Sequence, residues 1–197
     1  LSYIQMLFPR LHSEVILQSS YPSPFLLRTR FVLLYSFETA QGVLARLIKM
    51  RHITGLAKIP NTVEFTKEFL SDTERKLVIF VHHKDVGQII YDQLCAYCRE
   101  ENIAQPLKLT ADLSSVERFA VQERFNSANY RVMVGSTLAS GEGLNLQTCS
   151  DCIMHERQWN PANEEQAEGR FIRIGQLANA VTATYMLAEG SIDDHFH

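Results

Sequence analysis

Leu77-Val78-Ile79-Phe80-Val81 is an unbroken apolar run of strand length. A strand with one wet face alternates apolar and polar residues. A run that is apolar at every position must be covered on both faces, as in the centre of a parallel sheet. Shorter segments of strand character follow at Leu107 to Leu109, Arg131 to Val134, Cys152 to His155 and Val181 to Leu187. Helical patterns lie between them. From Asp85 to Glu100 the residues Val86, Ile89, Ile90, Leu94 and Tyr97 make an inward stripe. Ser114-Ser115-Val116-Glu117 is a capping box that opens a helix ending near Asn126. Strands alternating with helices build βαβ units. The expected fold class is therefore α/β, a doubly wound and mainly parallel sheet with helices on both faces. No internal repeat or low-complexity tract interrupts it.

The chain before the first strand reads differently. Residues 1–37 are broken by Pro22 and Pro24 among serines, and Phe31 to Tyr35 fits strand or helix. Glu38 to Leu56 is helical in pattern, through Val43, Leu44, Leu47, Ile48 and Ile53, with Lys49, Arg51 and His52 read as a solvated basic face. Lys58 to Leu70 reads as a second helix. The expected organisation is a lead-in over residues 1–56, helical in part, and one α/β domain over 57–197.

Composition sets the limits. Hydrophobic residues at 46% and charged residues at 21% suit a globular chain with a real core. A net charge of −3 is not the footprint of a free-standing DNA binder, although one groove can still be basic. No apolar run is long enough to span a bilayer, so no membrane partner is expected. The apolar start from Leu1 to Phe8 is cut by Pro9 and Arg10 and has no basic leader, which argues against a signal peptide. A first residue of Leu rather than Met suggests a fragment. Four cysteines form two C-x-x-C pairs, Cys95/Cys98 and Cys149/Cys152. Zinc-binding pairs usually stand about 15–20 residues apart on turns. These are much farther apart, one inside a helical pattern and one at a strand start, so the reading is free thiols in a reducing compartment and no metal.

The stretch that carries chemistry is Gln166 to Gln176. Trp159-Asn160-Pro161 reads as a helix start, Asn160 at the N-cap and Pro161 at the first helical position. On that helix Gln166, Arg170 and Arg173 share a face at i, i+4 and i+7, and Ala167, Phe171 and Ile174 form the neighbouring apolar stripe. Gly175 ends it. Two guanidiniums in register can grip a phosphate chain, because each stays charged and donates two parallel hydrogen bonds.

Gln166-Ala167-Glu168-Gly169-Arg170-Phe171-Ile172-Arg173-Ile174-Gly175-Gln176 resembles motif VI of the Snf2-type helicase-like ATPases, whose pattern is close to Q-A-x-x-R-x-x-R-I-G-Q. Ser136-Thr137-Leu138-Ala139-Ser140-Gly141-Glu142-Gly143-Leu144-Asn145-Leu146 resembles their motif V, and Lys76 to Lys84 their motif IV. The likeness runs in order from about Ala57 to His195. It implies the second of two RecA-like lobes, with the lead-in as the segment that joins the lobes and carries a helical protrusion. It also implies roles. Arg170 and Arg173 are the expected catalytic arginine fingers, and Gln166, Gly141, Gly143 and Asn145 the expected nucleotide-facing residues. His83, Lys84, Ser136, Thr137 and Trp159 are the expected DNA contacts. Thr110-Ala111 stands where the family often has Asp-Gly, which puts one backbone contact there in question.

No G-x-x-x-x-G-K-[ST] loop and no Asp-Glu pair after an apolar strand occur in the 197 residues. Phosphoryl transfer needs a phosphate cradle, a metal and a water-positioning group together. The resemblance therefore implies half of a split site, inactive alone. ATP and Mg²⁺ would be bound mainly by an absent first lobe, and double-stranded DNA would be the track of a translocase or remodeller. The rival readings are a strand-separating or RNA-directed helicase lobe and a non-catalytic zinc or interaction module on the same fold. The expected location is intracellular, in the bacterial or host cytoplasm or the nucleus.

Overall fold

The computed structural model describes residues 24–127, 129–137, 146, 148–158, 169 and 180–195, with side chains from residue 41 on. Two compact units divide at Arg46/Leu47. The described part of the first is helix alone. The second unit holds a five-stranded parallel sheet.

One helix, α1, runs from Pro24 to Asp72 with Pro60 inside it. This corrects the expectation of two helices parting near Ala57. It also settles Phe31 to Tyr35 as helix. A proline within a helix removes the hydrogen bond to the carbonyl four residues before it, and Pro60 is exposed, where water can satisfy that group. The apolar rhythm fails between Ile53 and Ile59 for another reason: buried polar residues take its place. Arg51, Thr54, Lys58, Thr62 and Thr66 are all under 9% exposed, so Arg51 is no part of a solvated basic face.

After α1 come β1 (Leu77–Val81), α2 (Lys84–Glu100), β2 (Leu107–Leu109), α3 (Ser115–Asn126), β3 (Val132–Ser136), β4 (Asp151–Met154) and β5 (Thr182–Tyr185). A 3₁₀ turn, Ile192–His195, is the last described element. The strands are all parallel in the order β2-β3-β1-β4-β5. β1 is central and buried at every position, as its unbroken apolar run demands.

Its side chains alternate between two cores. Leu77, Ile79 and Val81 join Val86, Ile90 and Leu94 of α2 and Ile59, Val63 and Leu70 of α1. Val78 and Phe80 join Phe125 of α3, with Leu107, Leu109 and Met133. Ile89, expected inward, is 37% exposed, because the buried ridge of α2 follows Val86, Ile90 and Leu94. Gly87 lets α2 lie close on β1: a Cβ there would come 2.7 Å from Val81 Cγ2.

Local signals hold the ends. The capping box at Ser114 and Glu117 is formed in both directions, and Glu117 Oε2 accepts from Ser114 N at 2.8 Å. Lys76 donates to the carbonyls of Phe125, Ser127 and Tyr130, and so ties off the carboxyl end of α3. Arg131 does the same for α1 at Leu70 and Thr73. The four cysteines are thiols. Burial pushes the Cys149 thiol up to about 12 and the Cys98 thiol up to about 11, values that leave both protonated. Among the described helices none is long and apolar enough to cross a membrane.

Candidate functional site

In an open parallel sheet, ligands gather beyond the carboxyl ends of the strands, where successive connections leave toward opposite faces. Here the chain leaves β1 for α2 on one face and β2 for α3 on the other. A cleft of about 430 Å³ opens over the ends of β1, β3 and β2. Among the described residues its polar lining includes His83, Lys84, Gln88, Lys108, Asp112 and Ser136.

Two of the cations differ in how they are held. Lys84 is exposed, and its Nζ lies 3.6 Å from Asp112 Oδ1, a loose pair that another anion can replace. Lys108 is anchored. It donates to Gln88 Oε1, and its Nζ sits 5.7 Å from the centre of the Tyr91 ring. Ser136 is half-buried at the end of β3. Thr137 is 4% exposed; its hydroxyl donates to the Val81 carbonyl at 3.1 Å and accepts from Gln158 Nε2 at 3.3 Å. Of the expected DNA contacts, then, His83, Lys84 and Ser136 line the cleft, and Thr137 is turned inward to brace β1. Gln166, Arg170, Arg173, Gly141, Gly143, Asn145 and Trp159 lie outside the described residues.

Lys108 and Glu156 are the residues that sequence reading passed over. Lys108 is the polar middle of a three-residue strand, where a single lysine gives no pattern. Glu156 follows β4 and is 2% exposed. Burial by itself would push its carboxyl up. Hydrogen bonds from the His83 ring and from the backbone N–H groups of His83 and His82 outweigh that and hold it below the usual carboxylate range. Its position directly after an apolar strand was the signal available.

Behind the cleft, the polar stripe of α1 meets the end of β4. His155 Nε2 lies 2.9 Å from the Gly55 carbonyl, which only accepts, so Nε2 carries the proton. Nδ1 then accepts from the Thr62 hydroxyl at 2.7 Å. Burial pushes the His155 imidazole down to about 4 from 6.5, with the neighbouring Lys58 charge adding to it. Burial also lowers His82, aided by the Arg51 and His83 charges. The His155 shift sets a pH dependence. Its folded value is depressed, so the unfolded chain takes up the extra proton. The stability it contributes is complete above about pH 6.5 and falls away as pH drops toward 4. The loss should be about 3 kcal/mol at 1.36 kcal/mol per unit. Urea melts across that range should show it. His155→Gln should flatten the slope relative to wild type, and an unchanged slope would contradict the neutral buried assignment.

Among the described residues no group of three or more His, Cys, Asp or Glu is arranged to hold a metal ion.

Residues 61–175 match the helicase conserved C-terminal domain family. The chain is 30% identical over 159 residues to human "DNA annealing helicase and endonuclease ZRANB3", a match covering 80% of this chain and 14% of that protein. It is 31% identical over 158 residues to the Bos taurus "SWI/SNF-related matrix-associated actin-dependent regulator of chromatin subfamily A-like protein 1", covering 80% of this chain and 16% of that one. The chain thus spans a small part of the curated relatives it matches. Among solved structures, the "Sulfolobus solfataricus SWI2/SNF2 ATPase C-terminal domain" shares the fold with a TM-score of 0.58 at 23% identity, over 78% of this chain and 65% of that one. The same ATPase core "in complex with dsDNA" gives 0.57 at 27% identity, over 73% and 32%. The parallel sheet, the order of its motifs and these likenesses agree: the chain belongs to the helicase conserved C-terminal domain family and is the C-terminal RecA-like lobe of a Snf2-family helicase.

Proposed function

We propose that this chain is the second lobe of a Snf2-type, ATP-dependent translocase on double-stranded DNA, spanning residues 57–197 and preceded by a connecting lead-in. The observation that carries the DNA part is the cleft at the carboxyl ends of β1, β3 and β2, lined by Lys84, Lys108, His83 and Ser136. Cations and small hydroxyl groups at a strand end contact a phosphate backbone without reading its bases. A relative solved with duplex DNA supports the same reading. His83, Lys84 and Ser136 are the proposed contacts, with Thr137 bracing them, and Trp159 is proposed as a further contact.

Hydrolysis in this proposal is shared with a first lobe. The described residues do not fit Mg²⁺, having no carboxylate cluster for it, and the sequence has no phosphate loop. Both are assigned to the first lobe, and ATP with them for the most part. This lobe contributes Arg170 and Arg173 toward the phosphates, with Gln166, Gly141, Gly143 and Asn145 facing the nucleotide. Closure of the lobes around it would then step along the duplex by hinge motion.

The test of the DNA part is salt-dependent duplex binding by the purified chain, read by fluorescence anisotropy. Lys84→Ala should weaken binding and reduce the slope of log K against log salt by about 0.9, the share of one phosphate. An unchanged slope in a folded variant would remove Lys84 from the track.

A further inference from the structure

Glu156 is an ionised carboxylate 2% exposed behind the nucleic-acid cleft, and its bonds run to one short stretch of chain. Oε2 accepts the backbone N–H of His82 at 2.7 Å and of His83 at 2.9 Å. Oε1 meets the His83 ring at Nδ1. A carboxylate only accepts, so His83 carries its proton on Nδ1. Those residues form the turn from β1 into α2 that delivers Lys84 to the cleft.

The turn is held from α1 as well. The His83 ring lies 4.7 Å from the His52 ring, and His52 Nε2 meets Asp85 Oδ2 at 2.6 Å. Helix α1 also leaves room for the carboxylate: a Cβ on Gly55 would come 2.8 Å from Glu156 Oε1.

A buried charge is a poor device for stability, because apolar packing of equal volume usually does as well. Nor does a negative charge behind a phosphate site attract phosphate. What the carboxylate does supply is fixed direction, since two backbone N–H groups and one ring nitrogen converge on it. We infer that Glu156 is a positioning residue for DNA binding: it locks the His82–Lys84 turn so that His83 and Lys84 face the phosphate backbone in the cleft. This rests on the DNA reading of the cleft proposed above.

Three roles for Glu156 give three different signs in one experiment. The variants are Glu156→Gln, Gly55→Ala and, as a core control, Val63→Ala. Each is made in the full 197-residue chain and measured for thermal melting and for duplex binding across salt. Glutamine can accept on one atom only, and its amide group opposes the His83 Nδ1–H. Positioning predicts binding weaker by about tenfold, the scale on which lost orienting partners act. It also predicts a salt slope smaller by about 0.9, as one phosphate contact is lost. Long-range ¹H–¹⁵N spectra should show the His83 proton leaving Nδ1. Pure electrostatics predicts tighter binding for Glu156→Gln, and a purely structural role predicts lower melting with affinity and slope unchanged. Either result overturns the inference. Gly55→Ala approaches the same carboxylate from α1 with a residue that favours helix, so it tests the position even where Glu156→Gln fails to fold. It should weaken binding in the same direction, and wild-type affinity and slope would again overturn the inference. Val63→Ala should lower melting without moving either. A wild-type chain with no salt-dependent duplex binding would instead defeat the DNA reading itself.

Discussion

In the two-lobed protein proposed above, Arg173→Ala is expected to abolish ATP hydrolysis while leaving DNA affinity nearly intact, and Arg170→Ala should behave likewise. A guanidinium aimed at a transferring phosphoryl group acts on charge that develops only in the transition state. Its loss therefore falls on turnover and not on binding. Removing such a finger costs about 10³–10⁵ in rate in related phosphoryl-transfer systems. Lys in either place should rescue poorly, because an ammonium is a point charge and cannot make the paired grip. The 197-residue chain on its own should show no turnover on the order of 1 s⁻¹, with or without DNA. Steady-state ATPase and duplex binding on each folded variant decide the matter. Wild-type turnover in Arg170→Ala and Arg173→Ala would remove both arginines from the proposed chemistry. Turnover by the isolated chain would overturn the split site.

Sequence was a good guide wherever one physical demand acted alone. Leu77 to Val81 is apolar throughout because β1 is covered on both faces, and that run identifies a buried parallel strand. Ser114 and Glu117 form the box their spacing announces. The readings failed where two demands competed. Between Ile53 and Ile59 the inner face of α1 carries Thr54, Gly55 and Lys58, because it packs on His155 and Glu156 and not on leucines. A periodicity argument sees a break there and starts a new helix at Lys58. Arg51 reads as a surface cation by the same logic, since nothing local says that its charge reaches the half-buried His82 imidazole. The site divides the same way. His83, Lys84 and Ser136 could be placed at the cleft because they end apolar strands. Glu156 also ends a strand, but its partners stand 73 and 74 residues earlier in the chain, and no spacing rule reaches that far.

The same stripe on α1 supplies the second large expected effect. Lys58 is 6% exposed, and its Nζ donates to Asp193 Oδ2 at 2.7 Å and to the Met186 carbonyl at 2.8 Å. Burial lowers the lysine's affinity for its proton, and the Asp193 carboxylate opposes that shift. Asp193 is 2% exposed and also accepts the Ala188 N–H at 3.1 Å. The pair pins the chain beyond β5 against α1. Asp193→Ala would leave an ammonium in the interior with one carbonyl for a partner. That should cost about 3–5 kcal/mol, as breaking a buried pair from one side does. Lys58→Met should cost a comparable amount, because it strands the buried Asp193 carboxylate with the Ala188 amide for a partner. The double variant Lys58→Met with Asp193→Ala should recover most of the loss, because desolvation of both charges disappears with them. Recovery should stay incomplete by about 1–3 kcal/mol, the cost of leaving the Ala188 N–H without an acceptor. Urea denaturation of the four proteins gives the coupling directly. Losses of the two single variants that simply add in the double would mean that the pair is not coupled and that the anchor lies elsewhere.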